Sequence, residues 1–127
     1  MTANFRIALV QMSCSADPDA NLDKAAERVR DAARAGANVV CLPELFRAQY
    51  FCQREDHSLF DLAESIPGPS TEKLSRIARE EKVAVIASLF ERRAAGQIGD
   101  VFWLSAWQLP IQKLKGRKRI GWVWRCR

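Results

Sequence analysis

Three short apolar runs, separated by two stretches of helical spacing, constrain this chain more than any other feature. The runs are FRIALVQM at 5–12, ANVVCL at 37–42 and VAVIASLF at 83–90. Each is rich in strand formers and short, and each fits a buried strand. Between the first two lies NLDKAAERVRDAARAG. Its Leu22, Ala25, Ala26, Val29, Ala32 and Ala33 keep helical spacing, with Lys24, Glu27, Arg28 and Asp31 off that stripe. Asp19 or Asn21 is placed to cap this helix, and Gly36 to stop it in the left-handed conformation. Strand, helix and strand in this order make a βαβ unit, with parallel strands and a right-handed crossover expected.

The second unit is looser at its start. Residues 47–69 form a polar-aromatic connection, with a short helix expected over 58–63, and Pro67-Gly68-Pro69 breaks it. Ser70 or Thr71 is expected to cap the next helix, STEKLSRIAREEK, with Leu74, Ile77 and Ala78 facing inward. The alternation predicts an α/β layered domain.

Composition narrows the class. The chain has 127 residues, 48% hydrophobic and 28% charged, which fits one globular domain and excludes collagen-like, coiled-coil and wholly disordered chains. No apolar run approaches the ~18 residues of a membrane span, so no membrane helix is expected. No charged segment followed by an apolar stretch opens the chain, so no secretory signal is expected and the cytoplasm is the expected location. Four cysteines stand at 14, 41, 52 and 126, without a C-x-x-C, and His57 is the single histidine. That is poor material for zinc, and no metal or other cofactor is expected. The thiols are expected to be reduced. Cys14 and Cys41, in or beside apolar runs, read as small buried hydrophobes.

Charge is divided unevenly. Residues 1–94 hold 13 Lys and Arg against 14 Asp and Glu, whereas residues 95–127 hold 7 against Asp100 alone. Trp103, Trp107, Trp122 and Trp124 all fall in that last part. The composition therefore shifts near Gly96.

Leu42-Pro43-Glu44-Leu45-Phe46 is the segment that carries chemistry. A glutamate directly after a buried strand sits at its carboxyl end, where open α/β sheets place their sites. Partial burial by Leu45 and Phe46 would raise its pKa and suit it to general-base work. The same position also fits a solvated surface glutamate.

The order and wording of these segments resemble the nitrilase superfamily of carbon-nitrogen hydrolases. The resemblance is carried by FRIALVQM, NLDKAAERVRDAARAGANVVCLPELF and IPGPSTEKLSRIAREEKVAVIASLFERR, and by Glu44 after the second strand. PELFRAQYFCQ at 43–53 is similar to the N-carbamoylputrescine amidase branch, which hydrolyses N-carbamoylputrescine to putrescine, CO2 and ammonia in polyamine synthesis. The resemblance spans about residues 5–96. It implies a small-molecule amide or ureido substrate, no nucleic-acid or membrane partner, and a homo-oligomer for a complete protein. It implies an incomplete fold here, the N-terminal part of a nitrilase-like α-β-β-α sandwich.

The family's mechanism uses a Glu–Lys–Cys triad. The thiolate attacks the carbonyl, ammonia leaves, and water releases the acyl group from a thioester. The glutamate takes the thiol proton and later activates water, while the lysine stabilises the oxyanion. Glu44 matches the glutamate. The Y-R-K motif that carries the lysine and the cysteine elbow are not found. QIGDVFWLSAWQLPIQKLKGRKRIGWVWRCR, which follows Gly96, resembles nothing in the family. The expected division is a partial hydrolase domain at 1–96 and a non-matching basic, Trp-rich tail at 97–127, produced by a frameshift or truncation. The chain as written is expected to lack amidase activity.

Replacements within the chain are weak. Cys41 precedes Glu44 by three residues and strand parity turns the two apart, so Cys41 reads as core. The resemblance implies that Cys52 belongs to a stretch lining or supporting the substrate pocket rather than supplying the nucleophile, and Cys126 reads as a mobile terminal thiol. Lys113 and Lys115 belong to a solvated basic run, and His57 to a loop. By resemblance, Tyr50 and Phe51 line a pocket for a diaminobutane-like chain, or else pack as loop aromatics. Two other classes fit parts of the chain. Residues 113–119, with Trp107, Trp122 and Trp124 near, could hold phosphates and stack bases. Half of a sandwich would expose a sheet edge and an apolar face, making a non-catalytic interaction module, with residues 98–111 able to cover that face.

Overall fold

The computed structural model describes residues 4–50, 57–95, 97–106 and 121–125. Strand β1 (Ile7–Leu9) leads through helix α1 (Pro18–Arg34) to β2 (Val39–Cys41). A 3-10 helix (His57–Leu62) and helix α2 (Pro69–Glu81) then lead to β3 (Ala84–Ala94), β4 (Gln97–Ala106) and β5 (Gly121–Arg125). The five strands form one sheet in sequential order. β1, β2 and β3 pair in parallel, whereas β4 and β5 are antiparallel to their neighbours. The expected βαβ units are present; β1 and β2 are shorter than their apolar runs, whereas β3 continues past its run to Ala94.

The helix starts differ from expectation by a residue or more. Asp17, not Asp19 or Asn21, caps α1, its carboxylate accepting from Asp19 N and Ala20 N at 2.9 and 3.1 Å. Pro18 pushes the cap upstream, because a proline is best tolerated in the first turn where no N–H is needed. The same rule moves the second start. Gly68 is the N-cap of α2, Pro69 follows it, and Thr71 answers from the third position, its hydroxyl accepting from Gly68 N at 2.8 Å. Gly36 takes the positive φ expected of it, at 87°.

Both helices contribute to one core. Leu22, Ala25, Ala26 and Val29 of α1 and Leu74, Ile77 and Ala78 of α2 pack with Val40, Val85, Ala87, Leu89, Val101 and Trp103 of the sheet. The alanines of α1 let the backbones approach closely. Across β3 and β4, Trp103 lies opposite Ala87 and Val101 opposite Leu89, so large and small side chains interlock. Of residues 98–111, expected to cover an exposed face, 107–111 lie outside the described residues and 98–106 instead extend the sheet as a strand. Alternation explains this: Val101 and Trp103 are buried and Phe102 is exposed.

The opposite side of the sheet is open. Ile7 and Leu9 are 61% and 78% exposed. Register places Leu9, Cys41, Ile86 and Leu104 in one row across four strands. β1 is therefore not the fully buried strand its sequence suggests, and Cys41 is half-buried on this face rather than in the core. No helix among the described residues is long and apolar enough to cross a membrane.

Candidate active site

The site begins where β2 ends. Leu42 N donates to Ile86 O at 2.9 Å, the last tie to β3, and the chain then turns over residues 44–47. Leu45 adopts φ 48°, a left-handed conformation costly for a branched-chain residue, and Ala48 N closes the turn on Leu45 O at 3.1 Å. Burial offsets that cost: Leu45 and Phe46 both lie inside the protein. The Glu44 side chain is exposed. The expected partial burial of this carboxyl is not found, because Leu45 and Phe46 enter the protein and leave Glu44 in solvent.

Four side chains fasten the turn from beneath. Cys14 Sγ donates to Phe46 O at 3.1 Å. Asn21 Nδ2 donates to Arg47 O and to Ser15 O, each at 2.9 Å, and its Oδ1 accepts from Ser15 N at 2.8 Å. Arg47 reaches back to α1, donating from NH2 to Asp19 Oδ1 at 2.7 Å and from Nε to Pro18 O at 3.4 Å. Its other nitrogen pairs with Glu64 Oε2 at 3.4 Å. Glu64 Oε2 also accepts from Ser70 N, in the first turn of α2, at 3.0 Å. The main chain of Glu64 joins β3, with Glu64 N donating to Phe90 O and Arg92 N to Glu64 O.

Sequence reasoning found Glu44 and missed this support. One signal was available. Asn21, Ala25 and Val29 are spaced four apart, so Asn21 lies on the buried stripe of α1, where an amide must find partners. Nothing local marked Cys14, Arg47 or Glu64, whose partners lie between 6 and 32 residues away.

The available thiols are poorly suited to attack. Burial pushes the Cys14 thiol up, opposed by the nearby Lys24 ammonium, and burial pushes Cys41 up as well. Lys24 Nζ is engaged with Ser13, donating to its carbonyl at 2.9 Å and its hydroxyl at 3.0 Å. Tyr50 is 55% exposed. Phe51, Cys52, Cys126, Lys113, Lys115 and the basic run at 113–119 lie outside the described residues, as does the His57 side chain. Among the described residues, no cluster of three or more His, Cys, Asp or Glu could hold a metal ion.

Under the turn lies a cavity of about 10 Å³, bordered by Leu45, Arg47, Glu64 and Ser88. Ser88 Oγ is buried there without a partner among the described residues. The space suits one water at most, not a substrate. A roomier depression of about 360 Å³ lies at the other end of the sheet, around Asn4, Arg6 and Asn38, away from Glu44.

Comparisons with known proteins agree with this geometry. A family model described as carbon-nitrogen hydrolase matches residues 6–119. The chain is 40% identical over 97 residues to Omega-amidase NIT2 of Mus musculus, covering 76% of this chain and 33% of that protein. It is 36% identical over 86 residues to N-carbamoylputrescine amidase of Oryza sativa subsp. japonica, covering 67% of this chain and 29% of that one. The crystal structure of a carbon-nitrogen hydrolase from Helicobacter pylori G27 superposes with a TM-score of 0.72 at 28% identity, over 79% of this chain and 35% of that one. The chain thus spans about a third of the length of the curated relatives it matches.

Proposed function

Because the chain belongs to the carbon-nitrogen hydrolase family, we propose that it carries the general-base part of an amidase site, with Glu44 as the base. One observation supports this above the others. Glu44 projects into solvent at the carboxyl end of β2, from a turn whose two following side chains are buried. A carboxylate so placed can take a proton from a thiol, pass it to the departing ammonia and then take one from water, provided a nucleophile is presented opposite it. The intact protein would cleave a small linear amide or ureido substrate: ammonia leaves on acylation, and Glu44 activates water for release.

The substrate we favour is N-carbamoylputrescine, on the likeness of residues 43–53 to that branch. A second reading, an omega-amide substrate, is favoured by the greater identity to Omega-amidase NIT2. The 127 residues carry neither the Y-R-K motif nor the cysteine elbow, so the chain as written is proposed to be inactive, with 97–127 a frameshifted or truncated end; the family match running on to residue 119 and the pairing of 97–106 with β3 weigh against a break as early as residue 97.

The test reads the coding DNA across codons 90–130 and beyond in three frames. A frame that restores both motifs supports the reading, and its absence points to a genuine tail on a non-catalytic module. Ammonia release from N-carbamoylputrescine and from an omega-amide then ranks the substrates by kcat/KM. In the restored protein Glu44→Gln should lower kcat about 10²–10⁴-fold. Ammonia release by the present chain above background would sink the claim that it is inactive.

A further inference from the structure

We propose that Arg47 is the positioning residue of Glu44, a clamp that fixes the turn against the N-termini of both helices; this rests on the reading of Glu44 as the base. Arg47 stands three residues after Glu44 in the same turn, and its side chain is only 18% exposed. One guanidinium nitrogen meets Asp19 and a second meets Pro18 O, both in the first turn of α1. The third meets Glu64, whose side chain is 9% exposed and whose Oε2 also takes the Ser70 N–H of α2.

The chemistry of this arrangement is specific. Helix N-termini favour carboxylates, and one from each end meets Arg47 here, Asp19 from the first turn of α1 and Glu64 at the start of α2. Glu64, 9% exposed, needs a cation beside it, whereas Asp19, 87% exposed, adds a solvated second anchor for the same guanidinium. A planar guanidinium with donors in a fixed fork serves three acceptors from separate segments, which a lysine ammonium on a flexible stem does less well. The main chain of the turn is pinned at the same time, at Phe46 O by Cys14 and at Arg47 O by Asn21. Glu44 is thus an exposed side chain on a fixed base, and Arg47 is the one side chain of the turn that spans both helices.

The full chain serves for the test, with two readouts that need no catalysis. The first is amide hydrogen exchange at Leu45, Phe46, Arg47 and Ala48, compared with Val85, Ala87 and Leu89 in the core of β3. The second is the carbon-13 carboxyl resonance of Glu44, assigned through Glu44→Gln. Arg47→Met should speed exchange in the turn about tenfold, leave the β3 amides within about twofold, and split or broaden the Glu44 signal. Arg47→Lys should recover part of both. Unchanged turn exchange and an unchanged Glu44 signal would overturn the proposal. So would a parallel loss of protection in turn and core, which marks a general structural role. If Arg47→Met does not fold, Arg47→Lys and Asp19→Asn decide by the same criteria, with about threefold turn-selective effects expected. Activity retained by Glu44→Gln in the restored protein would refute the base and leave the clamp measurable.

Discussion

The two faces of the sheet are made by the same strands and have opposite fates. The face toward α1 and α2 is sealed: Val40, Val85, Ala87 and Leu89 are buried there with Leu74 and Ile77. The other face leaves Ile7, Leu9 and Phe102 substantially exposed. Both rows are apolar, so composition does not separate them. What separates them is how far a layer covers them: α1 and α2 seal one side, while on the other the 3-10 helix reaches only the end of β3, the Phe60 ring lying 6.3 Å from that of Phe90. An apolar row of this kind costs little to alter while it faces water and much to alter once covered.

Substitutions on each side sharpen that contrast. The largest effect is expected at Phe46, fully buried beneath the Glu44 turn. Phe46→Ala should cost about 3–5 kcal/mol, read as a shift in the urea midpoint. Leu74→Ala, on the helix that seals the closed face, should cost about 2–5 kcal/mol by the same measurement. Next comes the α1 cap, where Asp17→Ala should cost about 0.5–2 kcal/mol. On the open face Leu9→Ser should change stability by no more than about 0.5 kcal/mol and should reduce self-association in light scattering at several concentrations. A Leu9→Ser penalty as large as that of Leu74→Ala would show the open face to be covered, and the contrast would fail.

The smallest effect is on pH dependence. Burial raises both Cys14 and Cys41 above the ordinary value of 9.0. The folded chain therefore holds these protons more tightly than the unfolded chain. Their contribution is full below pH 9.0 and falls as pH rises through the higher folded values. A Cys14→Ala, Cys41→Ala double variant should show a shallower fall in Tm as pH rises above 9.0 than the parent. An identical slope would remove the thiols from the account.

Much of the architecture was legible in the chain. The inward set Leu74, Ile77 and Ala78 is visible in its spacing, because a helix repeats every 3.6 residues wherever it packs. The parallel order of β1 to β3 follows from intervening helices too long for a hairpin. The position of Glu44 after β2 is equally local. Boundaries were less so: Pro18 and Pro69 each moved a helix start, since a proline's preference for the first turn outweighs a nearby hydroxyl or carboxylate.

The sequence by itself determined the alternation of strand and helix, the buried stripes of both helices and the place of a carboxylate at a strand end, because these depend on residues a few positions apart. Only the tertiary structure decided which face of the sheet is sealed and what holds the Glu44 turn. Arg47 meets Asp19 from 28 residues away, and Cys14 meets Phe46 from 32. Contacts across such separations leave no periodic trace in the chain; they exist only once α1, α2 and the sheet are packed together.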